Sequence, residues 1–220
     1  MNRQTPITTT NTLRRRVELI KKTAIHEAGH AASIYLGNKA KQLPPVFFRI
    51  FIDAPTGDVD VDHQDPTEFF AHVEGGRLIH MLPACVDDAT CDFSPDQKQA
   101  FQRAFEADIV NILAGPLAEA KYVSLRDNET IHPQLIDLNT LNYYGGSCDL
   151  KLVNDYLNCM NIAPVLKKNK IAQLFAAAYQ FIDNGTNWSA ITRLADHILV
   201  AGKSRIDCEE VFSLLDAIPG

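Results

Sequence analysis

Five consecutive residues, His26-Glu27-Ala28-Gly29-His30, have the types and spacing that hydrolytic metal chemistry needs. On an α-helix, at ~100° per residue, histidines four apart are offset by only ~40°, so both rings reach one cation. Glu27 falls ~60° from His30 around the axis, beside the pair, where a carboxylate serves as a base next to a metal rather than as its ligand. Zinc held by three protein groups polarises a carbonyl and lowers the pKa of water to about 7, and a neighbouring glutamate moves the proton. The chemistry implied is amide hydrolysis with Zn2+ as cofactor. At this chain's histidine and glutamate content the pattern arises by chance about 0.009 times. It sits among Ala24, Ile25, Ala28, Ala31 and Ala32, an apolar setting in which two imidazoles and a carboxylate need partners. Gly29 costs ~1 kcal/mol relative to alanine inside a helix, which calls for a packing or site reason.

A catalytic tetrahedral site needs a third protein ligand and one open position. His63, His72, His80, His132 and His197 qualify by chemistry, although each is more often a surface or satisfied core histidine. Cys85 and Cys91 suit a closed, structural site better. The carboxylates Glu106, Asp108, Glu119 and Asp149 complete the set, and Asp149 has an ordinary alternative role as a first-turn acid facing a helix dipole.

The elements that must position these residues are mostly helical. Residues 1–12 are polar and aperiodic, a flexible start, and order begins near Leu13. Val17, Ile20, Ala24, Ala28 and Tyr35 then recur at helical spacing until Gly37 supplies a stop. After Pro44-Pro45, the β-branched and aromatic run Val46–Ile52 reads as a strand, and Asp58-Val59-Asp60-Val61-Asp62 as its solvated return, together a small β-ribbon. Residues 63–93 hold only short apolar pieces around Gly75-Gly76 and Pro83 and read as an insertion. Ser94-Pro95 opens a helix whose face Phe101, Phe105, Ile109, Ile112 and Leu113 runs to Gly115-Pro116, where a kink or restart is expected before Val123. Further helices are expected from Ser147 or Cys148 to Met160, over Pro164–Asp183 and over Asn187–Ala201 between Asn184-Gly185 and Gly202, and a last one opened by a capping-box-like Asp207-Cys208-Glu209-Glu210. The whole is a mainly α fold, one domain over residues 13–220.

Three short segments resemble one family. Thr23-Ala24-Ile25-His26-Glu27-Ala28-Gly29-His30-Ala31 is similar to the active-site helix of the FtsH-type zinc metallopeptidases, the proteolytic part of membrane-bound AAA proteases. Ile112–Glu119 resembles that family's Gly-Arg-Ala-Ala-Glu helix, with Pro116 where the arginine stands, and Gly145-Gly146-Ser147-Cys148-Asp149-Leu150 resembles its Gly-Ala-Ser-Asn-Asp-Leu segment. The resemblance implies a multi-helix peptidase-like domain with a small β-ribbon, a metal held by His26, His30 and Asp149, and Glu27 as catalytic base. It also makes Glu119 a group that supports the site from behind a metal-binding histidine, or the alternative third ligand. Trp188–Leu215 is similar to the family's closing helix pair. The family's ATPase module and transmembrane helices have no counterpart in these residues.

Composition narrows the partners. Lys plus Arg number 21 against 27 Asp plus Glu, a net charge of −6 that opposes a nucleic-acid backbone. No run approaches the ~18 apolar residues of a membrane span, and the polar start at Met1-Asn2-Arg3 is unlike a signal sequence, so a cytoplasmic protein without membrane insertion is expected. Five scattered cysteines without a Cys-x-x-Cys pair are read as reduced. The expected activity is a zinc-dependent peptidase that cuts peptides or unfolded protein segments without ATP, either alone, as a homo-oligomer, or with a separate ATPase. The alternative is a catalytically silent, peptidase-derived binding or regulatory module.

Overall fold

In the computed structural model the described residues are 7–53, 70–79, 85–130, 137–160 and 162–217. Helix α1, Ile7–Ala32, begins before Leu13. It does not stop at Gly37, because a π-helical turn over Ser33–Gly37 carries it into the short α2, Asn38–Ala40. Strand β1, Phe48–Asp53, follows. The expected return strand at Asp58–Asp62 lies outside the described residues, and β1 pairs instead with β2, Phe70–Gly75, inside the segment read as an insertion. A third strand, β3 at Arg205–Asp207, pairs with the other edge of β1, so the expected ribbon is a three-stranded antiparallel sheet in the order β2-β1-β3.

The short α3, Val86–Ala89, leads to α4, Pro95–Arg126, whose 32 residues form the longest helix. Ser94 and Gln97 close a reciprocal capping box at its start. Contrary to the kink or restart expected at Pro116, α4 runs on unbroken. A proline there removes the N–H that would bond the carbonyl of Ile112; packing on several sides holds the helix together, since every residue from Ala107 to Ala120 is buried. A 3-10 turn at Thr140–Tyr143 precedes α5, Ser147–Cys159, and then come α6, Pro164–Asp183, α7, Gly185–Val200, and α8, Cys208–Asp216. The capping box expected at Asp207 is not made. Its carboxylate accepts instead from Arg49 Nε of β1 at 3.0 Å, because strand pairing brings Arg49 opposite it.

The core lies where α4 packs against α1, α5 and α6, with α7 on α1. The sheet covers it with Phe48, Ile50, Ile52, Ala71, Val73 and Ile206, all buried, while His72 stacks on Phe51 on the opposite face at 5.2 Å. Among the described residues no helix is long and apolar enough to cross a membrane, and all five cysteines are unpaired.

The crossing of α1 and α4 is unusually close. A Cβ on Gly29 would stand 2.7 Å from the carbonyl oxygen of Ala114 and 2.8 Å from Ala118 Cβ. This accounts for a glycine inside the first helix. Replacing Gly29 with Ala should force the two helices apart and lower the stability of the metal-free protein by about 1–3 kcal/mol. Urea denaturation reads this directly, and an unchanged midpoint would contradict the crossing.

Candidate metal centre

The centre is assembled from three elements distant in sequence. Helix α1 supplies His26, Glu27 and His30, the middle of α4 supplies Glu119 and the Asn111 carbonyl, and the first turn of α5 supplies Asp149. All four charged or titratable groups of the expected set are buried, at 7% exposure for His26, 9% for Glu27, 4% for His30 and 8% for Asp149.

Each histidine is oriented from behind through Nδ1. His30 Nδ1–H donates to the Asn111 carbonyl at 2.9 Å, and a carbonyl can only accept, so the other nitrogen, Nε2, carries the lone pair when the ring is neutral. His26 Nδ1–H donates to Glu119 Oε2 at 3.2 Å, with the same consequence. Both Nε2 atoms then face one carboxylate: His26 Nε2 lies 3.1 Å from Asp149 Oδ2 and His30 Nε2 3.4 Å from Asp149 Oδ1. Two neutral imidazole lone pairs against two carboxylate oxygens would repel in a buried site. The arrangement is favourable only with positive charge between them, either protons or a cation.

The donor set fits zinc. Two ligand atoms each about 2.0–2.1 Å from a tetrahedral ion stand about 3.3 Å apart, close to the 3.1 and 3.4 Å observed. Two imidazoles and one carboxylate are a common catalytic set, and hydrogen bonds behind metal-binding histidines are its usual companion. Glu27 also belongs to the cluster, since a carboxylate oxygen of Glu27 and one nitrogen from each histidine lie within 4.8 Å of one another. Its Oε2 is engaged, accepting from the Val73 backbone N–H at 2.8 Å. The β1–β2 ladder turns alternate N–H groups of β2 away from β1, and Val73 presents its own on the outer edge, toward α1.

The loop before Asp149 is shaped by close approach. Gly145 adopts φ +69°, and a Cβ there would stand 3.0 Å from Glu119 Oε2 and 3.1 Å from His26 Nδ1. On α4, a Cβ at Gly115 would overlap the His30 ring. Gly145 and Gly115 therefore make room for the histidines and for Glu119.

The other ligand candidates are engaged elsewhere. His72 stacks on Phe51 and His197 Nε2 pairs with Glu210 at 2.8 Å. Glu106 pairs with Lys170, and Cys85 caps α3. Cys91 is exposed. Asp108 accepts from the Leu78 N–H and the Tyr156 hydroxyl, both at 2.7 Å. His63, His80 and His132 lie outside the described residues. Sequence reasoning missed the Asn111 carbonyl and the Val73 N–H because both are backbone groups, on which residue type is silent.

The electrostatics follow from this geometry. Burial pushes the His26 imidazole down, but hydrogen bonds to Asp149 and Glu119 and the charges of Glu27 and Asp149 outweigh it and raise the group from 6.5 to about 10. Burial pushes Asp149 up, while the charge of His30 and hydrogen bonds to both histidines hold it far below the usual carboxylate range. Comparisons of the chain with family models, with curated proteins and with solved structures find no match.

A pH dependence follows for the metal-free protein. His26 is raised on folding, so its contribution to stability is full below about pH 6.5 and is lost as pH rises through about 10. Asp149 is depressed, so its contribution is full above its unfolded value of 3.8 and is lost on acidification below it. From these two groups, melting temperatures in chelator should decline from about pH 6.5 toward pH 10 and fall on acidification below about pH 4. The decline on the alkaline side should vanish in His26→Phe.

Proposed function

We propose that the chain is a zinc-dependent metallopeptidase that hydrolyses peptide bonds in peptides or unfolded protein segments, with a domain like those of the FtsH-type peptidases. The observation that carries this reading is the convergence of His26 Nε2 and His30 Nε2 on the Asp149 carboxylate with Glu27 alongside. His26, His30 and Asp149 would hold the ion, with Glu119 and the Asn111 carbonyl fixing the two rings. When bound, zinc supplies Lewis acidity to the scissile carbonyl and to water.

Glu27 moves the proton. With Oε2 held by the Val73 N–H, Oε1 takes a proton from water as the water oxygen adds to the amide carbon. It returns that proton to the amide nitrogen as the C–N bond breaks. The hydrogen bond from Val73 keeps the carboxylate beside the histidines without making it a ligand. Because β2 is an edge strand whose outer side reaches Glu27, an extended substrate would be aligned there by strand addition. A binding mode built on main-chain hydrogen bonds favours extended, unfolded segments over folded proteins.

The test is a pair of substitutions. Glu27→Gln should keep stoichiometric zinc and lose cleavage of an unfolded protein by at least about 100-fold, as removal of a general base does. Asp149→Asn should weaken zinc binding as well. Wild-type protein that binds zinc and cuts nothing in a broad peptide library would favour the silent binding module, and cleavage unchanged in Glu27→Gln would refute the role of that residue.

A further inference from the structure

The π-helical turn at Ser33–Gly37 begins three residues after His30, and such turns insert a residue into an otherwise α-helical chain at an energetic cost, often at functional sites. Tyr35 within it stacks on Phe212 of α8 and donates to Asp216, and a buried side chain from α4 bonds both of its ends. Asn111 Oδ1 accepts from Ser33 Oγ at 2.8 Å, and Asn111 Nδ2 donates to Asn38 Oδ1 at 3.4 Å, so one amide clasps both ends of the turn. Ser33, Asn38 and Asn111 are all buried, at 0%, 5% and 3% exposure, so removing the Asn111 amide would take from Ser33 Oγ and Asn38 Oδ1 the bonds they make to it. The main chain of the same residue accepts from His30 Nδ1 at 2.9 Å.

We propose that Asn111 is a positioning residue for the metal centre. Its carbonyl selects the His30 tautomer that leaves Nε2 free, and its side chain locks the turn behind His30 so that the ring cannot rotate off that carbonyl. The inference rests on the zinc reading above and adds to it a determinant that touches neither metal nor substrate. Location supports it: the carbonyl adjoins that of Ile112, whose helical donor is missing because residue 116 is proline. Thus one intrahelical bond of α4 is missing beside the carbonyl that receives His30.

The experiment measures zinc affinity by chelator competition, together with the visible spectrum of the Co2+-substituted protein, in wild type, Asn111→Leu, Ser33→Ala and, as a control outside the site, the buried α6 residue Leu174→Ala. Asn111→Leu keeps the branching at Cγ and the backbone carbonyl while removing the clasp. It should bind zinc about 10- to 100-fold more weakly, the range for removing a group that orients a metal ligand, and should alter the Co2+ absorption bands. Ser33→Ala, which breaks one arm only, should show the same change to a smaller extent and serves if Asn111→Leu does not fold. Leu174→Ala should lose stability with affinity and spectrum unchanged. Wild-type affinity and spectrum in Asn111→Leu, or in Ser33→Ala should that be the variant that folds, overturn the positioning role alone. Absence of zinc binding in wild type overturns the zinc reading and this inference with it.

Discussion

Two imidazoles and a carboxylate are held in a buried space where only added positive charge makes their arrangement favourable, and the rest of the structure serves that demand. Removing such groups from water is costly unless each is paired. Here every pairing comes from a different part of the chain. His26 meets Glu119 across 93 positions of sequence and Asp149 across 123, and His30 meets the Asn111 carbonyl across 81. Such contacts fix the mutual placement of α1, α4 and α5 far more narrowly than apolar burial, which has no direction. The close α1–α4 crossing at Gly29 and Gly115 and the left-handed Gly145 are the backbone terms of the same arrangement.

Helix α4 acts as a polar spine within an apolar core. Asp108, Asn111 and Glu119, together with Gly115, follow steps of three and four residues and share one face of the helix. Asp108 ties the chain just beyond β2, through Leu78, to Tyr156 of α5; Asn111 ties α1 and its π turn, and Glu119 ties His26. Among the described residues, no buried side-chain nitrogen or oxygen lacks a hydrogen-bond partner. Burial nonetheless dominates at Asp108, whose carboxyl is pushed up to about 6 despite the bonds from Leu78 and Tyr156.

Much of this was legible in the sequence because it is written locally. The histidine pair needs only one helical turn, Ser94-Pro95 and Pro164 mark helix starts by cap chemistry and fixed φ, and Gly145-Gly146, Asn184-Gly185 and Gly202 bound α5 and α7 closely. The rest depends on tertiary partners. Gly37 reads as a stop, yet the Asn111 clasp carries the chain through it, and Pro116 reads as a break, yet burial on all sides holds α4 together. Strand β2 was hidden in an apparent insertion because Ala71 and Val73 give only two apolar alternations, and its identity comes from pairing with β1. Asp149 is an ordinary first-turn acid until the two Nε2 atoms are seen to face it.

The most direct measurement is anomalous diffraction at the zinc edge from crystals of the zinc-loaded protein. One anomalous peak is expected within about 2.0–2.2 Å of His26 Nε2, His30 Nε2 and an Asp149 carboxylate oxygen, with Glu27 adjacent and still bonded to Val73. A peak held by other side chains, or one on the two histidines with Asp149 turned away and no protein group in its place, would contradict this coordination.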